Sequence, residues 1–328
     1  MSCIDRTELE KRLFARFDGE EVSGSLSELC HRLLSGQKET WAELRTAYLA
    51  LERASTRGIK CSTFSVTLQH NTGRATSSLA RVDEASIRKR PCFLCVENLP
   101  ESQKAILYRD RFLILCNPAP VFSFHYTVSS LEHHAQAVAS NLEICLRLMA
   151  DLGSDWTVLY NGPQCGASAP DHLHFQIIPA GRLPIERDIE EDQRLALKVR
   201  IAEASLFRVM NVGREVVLMT GDNPEALDSV LRTYLEGLKT TLPTDGEPML
   251  NLTGSCIKGT WRLLVFPRRK HRPDVFFEEG DRRMVISPAV VEMAGVIVTP
   301  IERDFERLDA ATVENLYREI SLIGAAYP

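Results

Sequence analysis

Long apolar runs are missing from this sequence of 328 residues. No uninterrupted hydrophobic stretch approaches the roughly 18–20 residues of a membrane-spanning helix, so an integral membrane protein is not predicted. The polar stretch of residues 1–8 has none of the apolar character of a secretory signal peptide. We therefore expect a cytoplasmic protein without a membrane partner.

An excess of positive charge is missing as well. The formal net charge is -5 and the sequence pI is about 6.0, and this balance argues against a protein held on DNA or RNA by bulk electrostatics. No nucleic-acid partner is expected. Hydrophobic residues at 44% and charged residues at 25% are typical of a globular protein. The length predicts two domains or one duplicated domain.

The nine cysteines are odd in number and spread along the chain, which does not suggest a disulfide framework. Most of them stand among apolar neighbours, as packed reduced thiols do. Cys92 and Cys95 are different, because they form a Cys-x-x-Cys pair in a predicted turn. This spacing lets two thiolates reach one tetrahedral metal ion, although redox pairs and unrelated thiols have it too.

Polar and apolar residues alternate from His172 to Ile178, as in a half-buried strand. A period of two predicts that His172, His174 and Gln176 share one face of that strand. Such a row can simply cover the solvent side of a sheet. The opposite positions, expected in the core, are Leu173, Phe175 and Ile177.

A loop of small residues, 161–168, precedes this strand. Its backbone N–H groups could approach an anion, with the side chains of Asn161 and Ser168 as further donors. An anion site beside an imidazole suits phosphoryl or nucleotidyl transfer, because histidine can attack phosphorus when its other ring nitrogen is held by a hydrogen bond. His174 is the candidate nucleophile.

These residues carry a family resemblance. The segment resembles the active site of the histidine-triad superfamily, in particular its transferase branch of uridylyltransferases, dinucleotide polyphosphate phosphorylases and GDP-hexose phosphorylases. The matching positions are Asn161-Gly162, Gly166-Ala167-Ser168 and His172-x-His174-x-Gln176. The resemblance implies a nucleotidyl-histidine intermediate on His174, with Gln176 and Ser168 as further catalytic residues and Asn161, Gly162, Gly166 and Ala167 as substrate-binding residues.

Gln176 stands where the hydrolases of the superfamily carry a third histidine. An amide donates and accepts hydrogen bonds but cannot carry a proton to or from water. The expected substrate is a nucleotide sugar or a dinucleotide polyphosphate, and the expected acceptor is phosphate or a sugar phosphate. Two alternatives stay open, namely a hydrolase that tolerates glutamine and a non-catalytic zinc- or nucleotide-binding module.

The resemblance also implies a structural Zn²⁺ site. Cys92 and Cys95 would share the ion with a downstream histidine and with His172. For the downstream ligand the resemblance favours His133 over His134. The alternative is that both thiols are free.

Positively charged residues supply further candidates. The resemblance suggests Arg74, Arg81 and Arg90 as phosphate contacts. A second basic cluster, in which Arg268, Lys270 and His271 are the candidates, follows a predicted apolar strand at 261–266. We expect it to bind the phosphate of the second substrate, because arginine binds phosphate in a bidentate manner.

The predicted fold class is α+β, with two histidine-triad-like halves that form an intramolecular pseudo-dimer of antiparallel sheets and flanking helices. A helical segment, 1–58, precedes a catalytic half, 59–185, and a second half, 186–328, that lacks the catalytic motif. Within the first segment, apolar spacing predicts helices over 8–16, 26–34 and 38–53. A homodimer is an open option for the assembly.

Overall fold

The computed structural model of the chain describes residues 6–19, 24–75, 84–201, 203–244 and 246–324. Its strands, β1 to β14 in chain order, are Leu13–Phe17, Ser55–Lys60, Ser65–His70, Ala105–Tyr108, Phe112–Cys116, Tyr126–Ser130, Trp156–Asn161, His174–Pro179, Leu195–Ile201, Ala204–Val209, Val217–Gly221, Leu250–Ile257, Thr260–Pro267 and Val296–Thr299. Its helices, α1 to α10, are Arg6–Arg12, Leu26–Thr40, Ala42–Glu52, Glu84–Arg88, Leu142–Leu152, Pro184–Asp188, Pro224–Thr241, Val290–Met293, Glu302–Arg307 and Ala310–Ile320. Within these ranges no helix has the length and apolar character that crossing a membrane requires.

One sheet of eleven strands runs through the molecule in the order β1-β4-β5-β6-β8-β7-β12-β13-β11-β10-β9. It contains the same unit twice. The first unit is β4, β5, β6, α5, β7 and β8, and the second is β9, β10, β11, α7, β12 and β13. In both units the fifth strand lies in the sheet between the third and the fourth. The units meet at the antiparallel pair β7 and β12, where Asn161 lies opposite Asn251. This repeat confirms the predicted pseudo-dimer of two similar halves.

Helices α2, α5 and α7 pack against one face of this sheet. Helix α5 buries Leu142, Leu146 and Met149, which recur at the spacing of one helical face. Helix α7 begins after Asn223, whose side chain accepts a hydrogen bond from Ala226 N (3.0 Å) and so satisfies one of the free N–H groups of the first turn. On the other face of the sheet, strands β2, β3 and β14 and helices α8 and α10 form a second core, and the cavity described below lies on this face too.

The N-terminal segment differs from the helical prediction in two places. Helix α2 runs from Leu26 to Thr40 without the break expected between residues 34 and 38. Helix α1 ends at Arg12, and Leu13–Phe17 continues as strand β1, which pairs in parallel with β4 at the edge of the large sheet. Pairing with an available sheet edge here overrides local helix preference. The small sheet, in the order β14-β3-β2, also joins distant parts of the chain. Strand β2 spans the predicted boundary at residue 58, and the domain limits stay predictions.

Strand β8 has the predicted alternation. Leu173, Phe175 and Ile177 are 1% exposed or less and belong to the core beneath α5 and α7. Because neighbours along a strand point to opposite sides, His174 and Gln176 project from the other face. The sequence pattern thus gives both the burial of one face and the direction of the candidate catalytic side chains.

Candidate active site

A cavity of about 570 Å³ lies on the face of the first half that carries His174 and Gln176, and residues of the second half close it on one side. The side chains that matter for its chemistry are Arg74, Arg90, Gln103, Asn117, His125, Asn161, Ser168, His174, Gln176, His271, Arg272 and Glu292. Asn117 and His125 lie between β5 and β6, Ser168 lies in the loop before β8, and His174 and Gln176 lie in β8. His271, Arg272 and Glu292 come from the second half, so both halves build the site.

His174 is held in one ring orientation. Its Nδ1 lies 2.8 Å from the carbonyl oxygen of His172, and because a carbonyl can only accept, Nδ1 carries the proton and donates. Nε2 is then the unprotonated ring nitrogen. Burial lowers the pKa of His174, which favours this neutral form. A neutral imidazole with one nitrogen fixed and the other free has the form that a nucleophile needs.

Gln136, which the sequence did not single out, fixes the backbone of His174. Its Oε1 accepts a hydrogen bond from His174 N (2.8 Å), and its Nε2 donates to the carbonyls of His174 and Asn161 (both 2.9 Å). Gln136 is 3% exposed. This one amide therefore sets the distance between the strand of the candidate nucleophile and the loop that begins at Asn161.

We expect Gln136→Leu to lower the free energy of unfolding by about 3 kcal/mol, because it leaves a buried N–H and two buried carbonyls without partners. We also expect kcat to fall, since the imidazole is no longer held in register with the loop. Chemical denaturation and steady-state kinetics measure the two effects. Asn223→Ala, which removes the distant helix cap, is the control: it should cost about 1 kcal/mol and leave kcat unchanged. An equal loss of kcat in both variants would contradict a positioning role for Gln136.

Gln176 is oriented by His125, a second residue that the sequence did not reveal. Val121 N donates to His125 Nδ1 (3.1 Å), so His125 carries its proton on Nε2. That N–H points at Gln176 Oε1, 2.6 Å away. The carbonyl end of the Gln176 amide is thereby occupied, and its NH₂ group is left to donate into the cavity. Burial lowers the pKa of His125 to about 3, which keeps this arrangement intact at neutral pH.

The loop after β7 approaches the second half closely. Gly166 has φ of +93°, and a Cβ there would lie 2.6 Å from the Cβ of Ala289. A Cβ on Gly162 would lie 2.6 Å from the carbonyl oxygen of Leu250. Only glycine fits either position without displacement. Gly166, Ala167 and Ser168 line the cavity, whereas Gly162 supports the loop from behind.

Asn161 connects the two halves. Its Oδ1 accepts hydrogen bonds from Asn251 Nδ2 (2.8 Å) and from Val290 N (2.7 Å). This leaves the NH₂ group of Asn161, which lines the cavity, as its donor toward a ligand. The second half therefore orients a side chain of the first.

Four metal-ligand residues come together beside β8. One donor atom from each of Cys92, Cys95, His133 and His172 lies within 4.8 Å of the others. Cys92 Sγ is 3.3 Å from His172 Nδ1, and Cys95 Sγ is 3.2 Å from His133 Nδ1. This is the set expected from the sequence, with His133 in it, while His134 Nε2 lies 3.3 Å from Ser130 Oγ instead.

The cluster has the outer contacts that a metal site needs. His172 Nε2 lies 2.8 Å from the carbonyl of Ser130 and so donates to it, which leaves Nδ1 deprotonated on the side of the thiols. Asp171 Oδ2 lies 3.6 Å from His133 Nε2, on the far side of that ring. Two thiolates and two imidazoles are a donor set for a tetrahedral ion. The residues present can hold a divalent metal ion.

The basic candidates of the second half do not share one location. Among them only His271 lines the cavity, together with its neighbour Arg272. Lys270 pairs with Asp274 (2.7 Å) and with Glu319 outside the cavity. Burial lowers the pKa of His271 to about 3, so His271 is neutral at physiological pH.

Arg268 is fully buried and does not line the cavity. Its guanidinium donates to Asn251 Oδ1 (2.6 Å) and to the carbonyls of Pro288, Lys270 and His271. Through Asn251 it acts on Asn161, and through the carbonyls it fixes the loop that carries His271. Arg268 was expected to contact phosphate. These four hydrogen bonds instead hold its guanidinium in the protein interior, outside the cavity lining.

The basic candidates of the first half lie at the cavity wall. Arg74 Nη1 donates to the carbonyl of Ala119 (2.8 Å), and Arg90 Nη2 donates to the carbonyl of Ser168 (3.1 Å). Arg90 therefore supports the loop beside the candidate nucleophile. Arg81, the third arginine suggested by the resemblance, lies outside the described residues.

Glu292 is a further cavity residue that the sequence did not predict, since 286–298 has the apolar pattern of a packing segment. Its Oε2 accepts from Ala289 N (2.9 Å), and burial raises its pKa. The only available signal was an acidic residue inside an apolar run. A buried carboxyl in such a position usually has a polar partner or a ligand.

Comparisons with known proteins found one matching family model and several similar solved structures. The family described as "Domain of unknown function (DUF4922)" matches residues 33–179, which is less than half of the chain but includes the candidate nucleophile and all four metal-ligand candidates. No curated protein sequence matches the chain.

Three crystal structures of yeast Ap4A phosphorylase Apa2 are similar to the chain over most of its length. The complex with AMP is 16% identical with a TM-score of 0.59 and covers 90% of this chain and 98% of that one. A second structure is 14% identical with a TM-score of 0.60, at 86% and 96% coverage. The complex with Ap4A is 14% identical with a TM-score of 0.56, at 86% and 97% coverage. The expected fold is therefore confirmed: over most of its length the chain has the fold of yeast Ap4A phosphorylase Apa2.

Proposed function

We propose that the chain is a nucleotidyltransferase of the phosphorylase type, which transfers a nucleoside monophosphate group through His174 to phosphate or a sugar phosphate. One observation carries this proposal: an imidazole with a free Nε2 faces a cavity beside a glutamine that offers only its NH₂ group. The likeness of the fold to a phosphorylase that has been crystallised with AMP and with Ap4A supports it.

In the first step Nε2 of His174 attacks the α-phosphorus of the substrate. The nitrogen–phosphorus bond forms while the bond to the leaving oxygen breaks, and the leaving group takes the electron pair. The ring becomes positively charged, and the hydrogen bond from Nδ1 to the carbonyl of His172 stabilises that charge. Gln176, Ser168 and the loop N–H groups donate to the phosphoryl oxygens, where negative charge develops.

In the second step an oxygen of the acceptor attacks the same phosphorus. The nitrogen–phosphorus bond breaks, and its electron pair returns to Nε2. An acceptor that is already anionic needs no base, whereas water must lose a proton. Gln176 cannot take that proton, and His125 uses its own proton to hold Gln176. Phosphate and sugar phosphates therefore fit this site better than water.

We propose that the Cys2His2 cluster holds Zn²⁺ as a structural ion. A Zn²⁺ ion bound there supplies a fixed anchor for His172, two residues before the nucleophile. A fixed His172 would restrict His174 in two ways: through the backbone that joins the two residues, and through the hydrogen bond from His174 Nδ1 to the carbonyl oxygen of His172 (2.8 Å). Cytoplasmic location and a homodimer stay predictions.

The test is a comparison of acceptors. The protein is mixed with Ap4A or with a panel of nucleotide sugars, with and without inorganic phosphate, and the products are separated by liquid chromatography. We expect cleavage to depend on phosphate and to yield a nucleoside diphosphate. Equally fast cleavage without phosphate, with a nucleoside monophosphate as the product, would instead indicate a hydrolase.

A further inference from the structure

Part of the cavity lining is apolar. Leu99 and Leu115, which belong to one apolar cluster, line the cavity, and so does Gln103, whose side chain is 5% exposed and lies against the carbonyl of Cys116, next to Leu115. Apolar walls of this kind suit the faces of a nucleotide base. A polar side chain buried among them is costly unless it meets a partner.

The orientation of the Gln103 amide is fixed by the backbone. Its Nε2 lies 3.2 Å from the carbonyl oxygen of Cys116. A carbonyl can only accept, so the NH₂ group of Gln103 must be on that side, and the reversed amide would set two acceptors against each other. Oε1 then faces the opposite way, and no described residue of the chain donates to it. The group that Gln103 offers to a ligand is a hydrogen-bond acceptor.

The strand register places this acceptor at a suitable distance from the nucleophile. Gln176 lies opposite Thr127, and Thr127 lies opposite Leu115, so β5 is two strands away from β8. Neighbouring strands are about 4.8 Å apart, which puts the Cys116 carbonyl and the Gln103 amide roughly 10 Å from the strand of His174. The cavity between them is continuous. A ribose and a base can extend over this distance from an α-phosphorus held at His174.

We propose that Gln103 selects the base of the transferred nucleotide: its Oε1 accepts a hydrogen bond from an exocyclic amino group, as in adenine or cytosine, and disfavours bases that carry a carbonyl there. Gln103 and Gln176 thus have opposite roles, since one offers an acceptor to the base and the other a donor to the phosphate. The inference rests on the proposed function, which brings a nucleotide into this cavity.

The test uses two pairs of nucleoside monophosphates in which an amino group is replaced by a carbonyl, AMP with IMP and CMP with UMP. Calorimetry on the full-length protein gives the four dissociation constants. We expect at least one amino member to bind about tenfold or more tightly than its partner, because the wrong base sets two acceptors face to face in a buried site. In Gln103→Met, which keeps the volume, that ratio should fall close to one. Gln193→Met, at an exposed glutamine, should keep it.

The outcomes separate this inference from the proposed function. Equal binding within both pairs, or tighter binding of IMP or UMP, overturns the role of Gln103 and leaves nucleotidyl transfer standing. A ratio that persists in Gln103→Met does the same. If none of the four nucleotides binds, both proposals fail. The wild-type comparison needs no variant, so the inference can be tested even if Gln103→Met does not fold.

Discussion

His174→Asn is expected to lower kcat by about 10⁴-fold or more, since a missing nucleophile removes the covalent route altogether. Asparagine keeps a side-chain N–H near the carbonyl of His172 but has no ring nitrogen to attack phosphorus. We expect the melting temperature to change by no more than about 3 °C. Phosphate-dependent cleavage of Ap4A or of the preferred nucleotide sugar gives the rate, and calorimetric melting gives the stability.

His134→Asn is the matched control for this variant. His134 is exposed, does not line the cavity and is not part of the metal-ligand cluster. Its activity should equal that of the wild type. A His174→Asn protein that is folded and retains activity comparable to the control would show that His174 is not the nucleophile.

Cys92→Ser is expected to abolish metal binding and to destabilise the protein. Serine lacks the thiolate that a Cys2His2 site uses, and the remaining three ligands hold the ion more weakly. We expect one equivalent of Zn²⁺ per chain in the wild type and close to none in the variant, as measured by elemental analysis. The melting temperature should fall by about 6 °C or more, because loss of a structural ion costs several kcal/mol.

Cys256→Ser tests whether any cysteine has this effect. Cys256 is buried in β12, far along the chain from the cluster, and the Cys256→Ser protein should retain the metal.

Activity is a second measurement of the role of the metal ion. If zinc positions the nucleophile strand, removal of the ion with a chelator should lower kcat in the wild type before it unfolds the protein. A wild-type protein purified without metal and fully active would contradict the structural role proposed for zinc.

Local patterns in the sequence, together with the resemblance, were sufficient to predict which residues lie together around β8. The alternation in β8 predicted that Phe175 faces the core and that His174 lies on the opposite face, because burial on one side of a strand imposes a period of two. The Cys-x-x-Cys turn and the resemblance gave the four-residue metal cluster, including the choice of His133. The repeat of strands and helix gave the pseudo-dimer. Each of these features depends on residues close together in the chain or on a repeated order of elements.

Other parts of the site depend on pairing between distant segments. His125 reaches Gln176 because β6 lies next to β8, and Gln136 reaches Asn161 across the start of the catalytic loop. No local pattern marks either residue. The basic cluster after β13 illustrates the same limit, since the sequence cannot tell that Arg268 is buried on Asn251 while His271 faces the cavity. Strand β1 was missed for this reason too, because its partner lies about 90 residues further along the chain.

The duplicated fold explains why the candidate motif occurs in only one half. The loop between β7 and β8, which carries part of this motif, spans 162–173, whereas only two residues, Lys258 and Gly259, connect the corresponding strands β12 and β13. The second half therefore has no room for a second copy of the motif. It contributes by contact instead, through Asn251 on Asn161 and through Ala289 packed against Gly166.

The most direct measurement is the mass of the intact protein after incubation with Ap4A or a nucleotide sugar in the absence of an acceptor. The account predicts an increase equal to one nucleoside monophosphate group, located on His174 by fragmentation and removed when phosphate is added. A wild-type protein that turns over substrate with no such adduct, or with the adduct on another residue, would contradict covalent transfer through this imidazole.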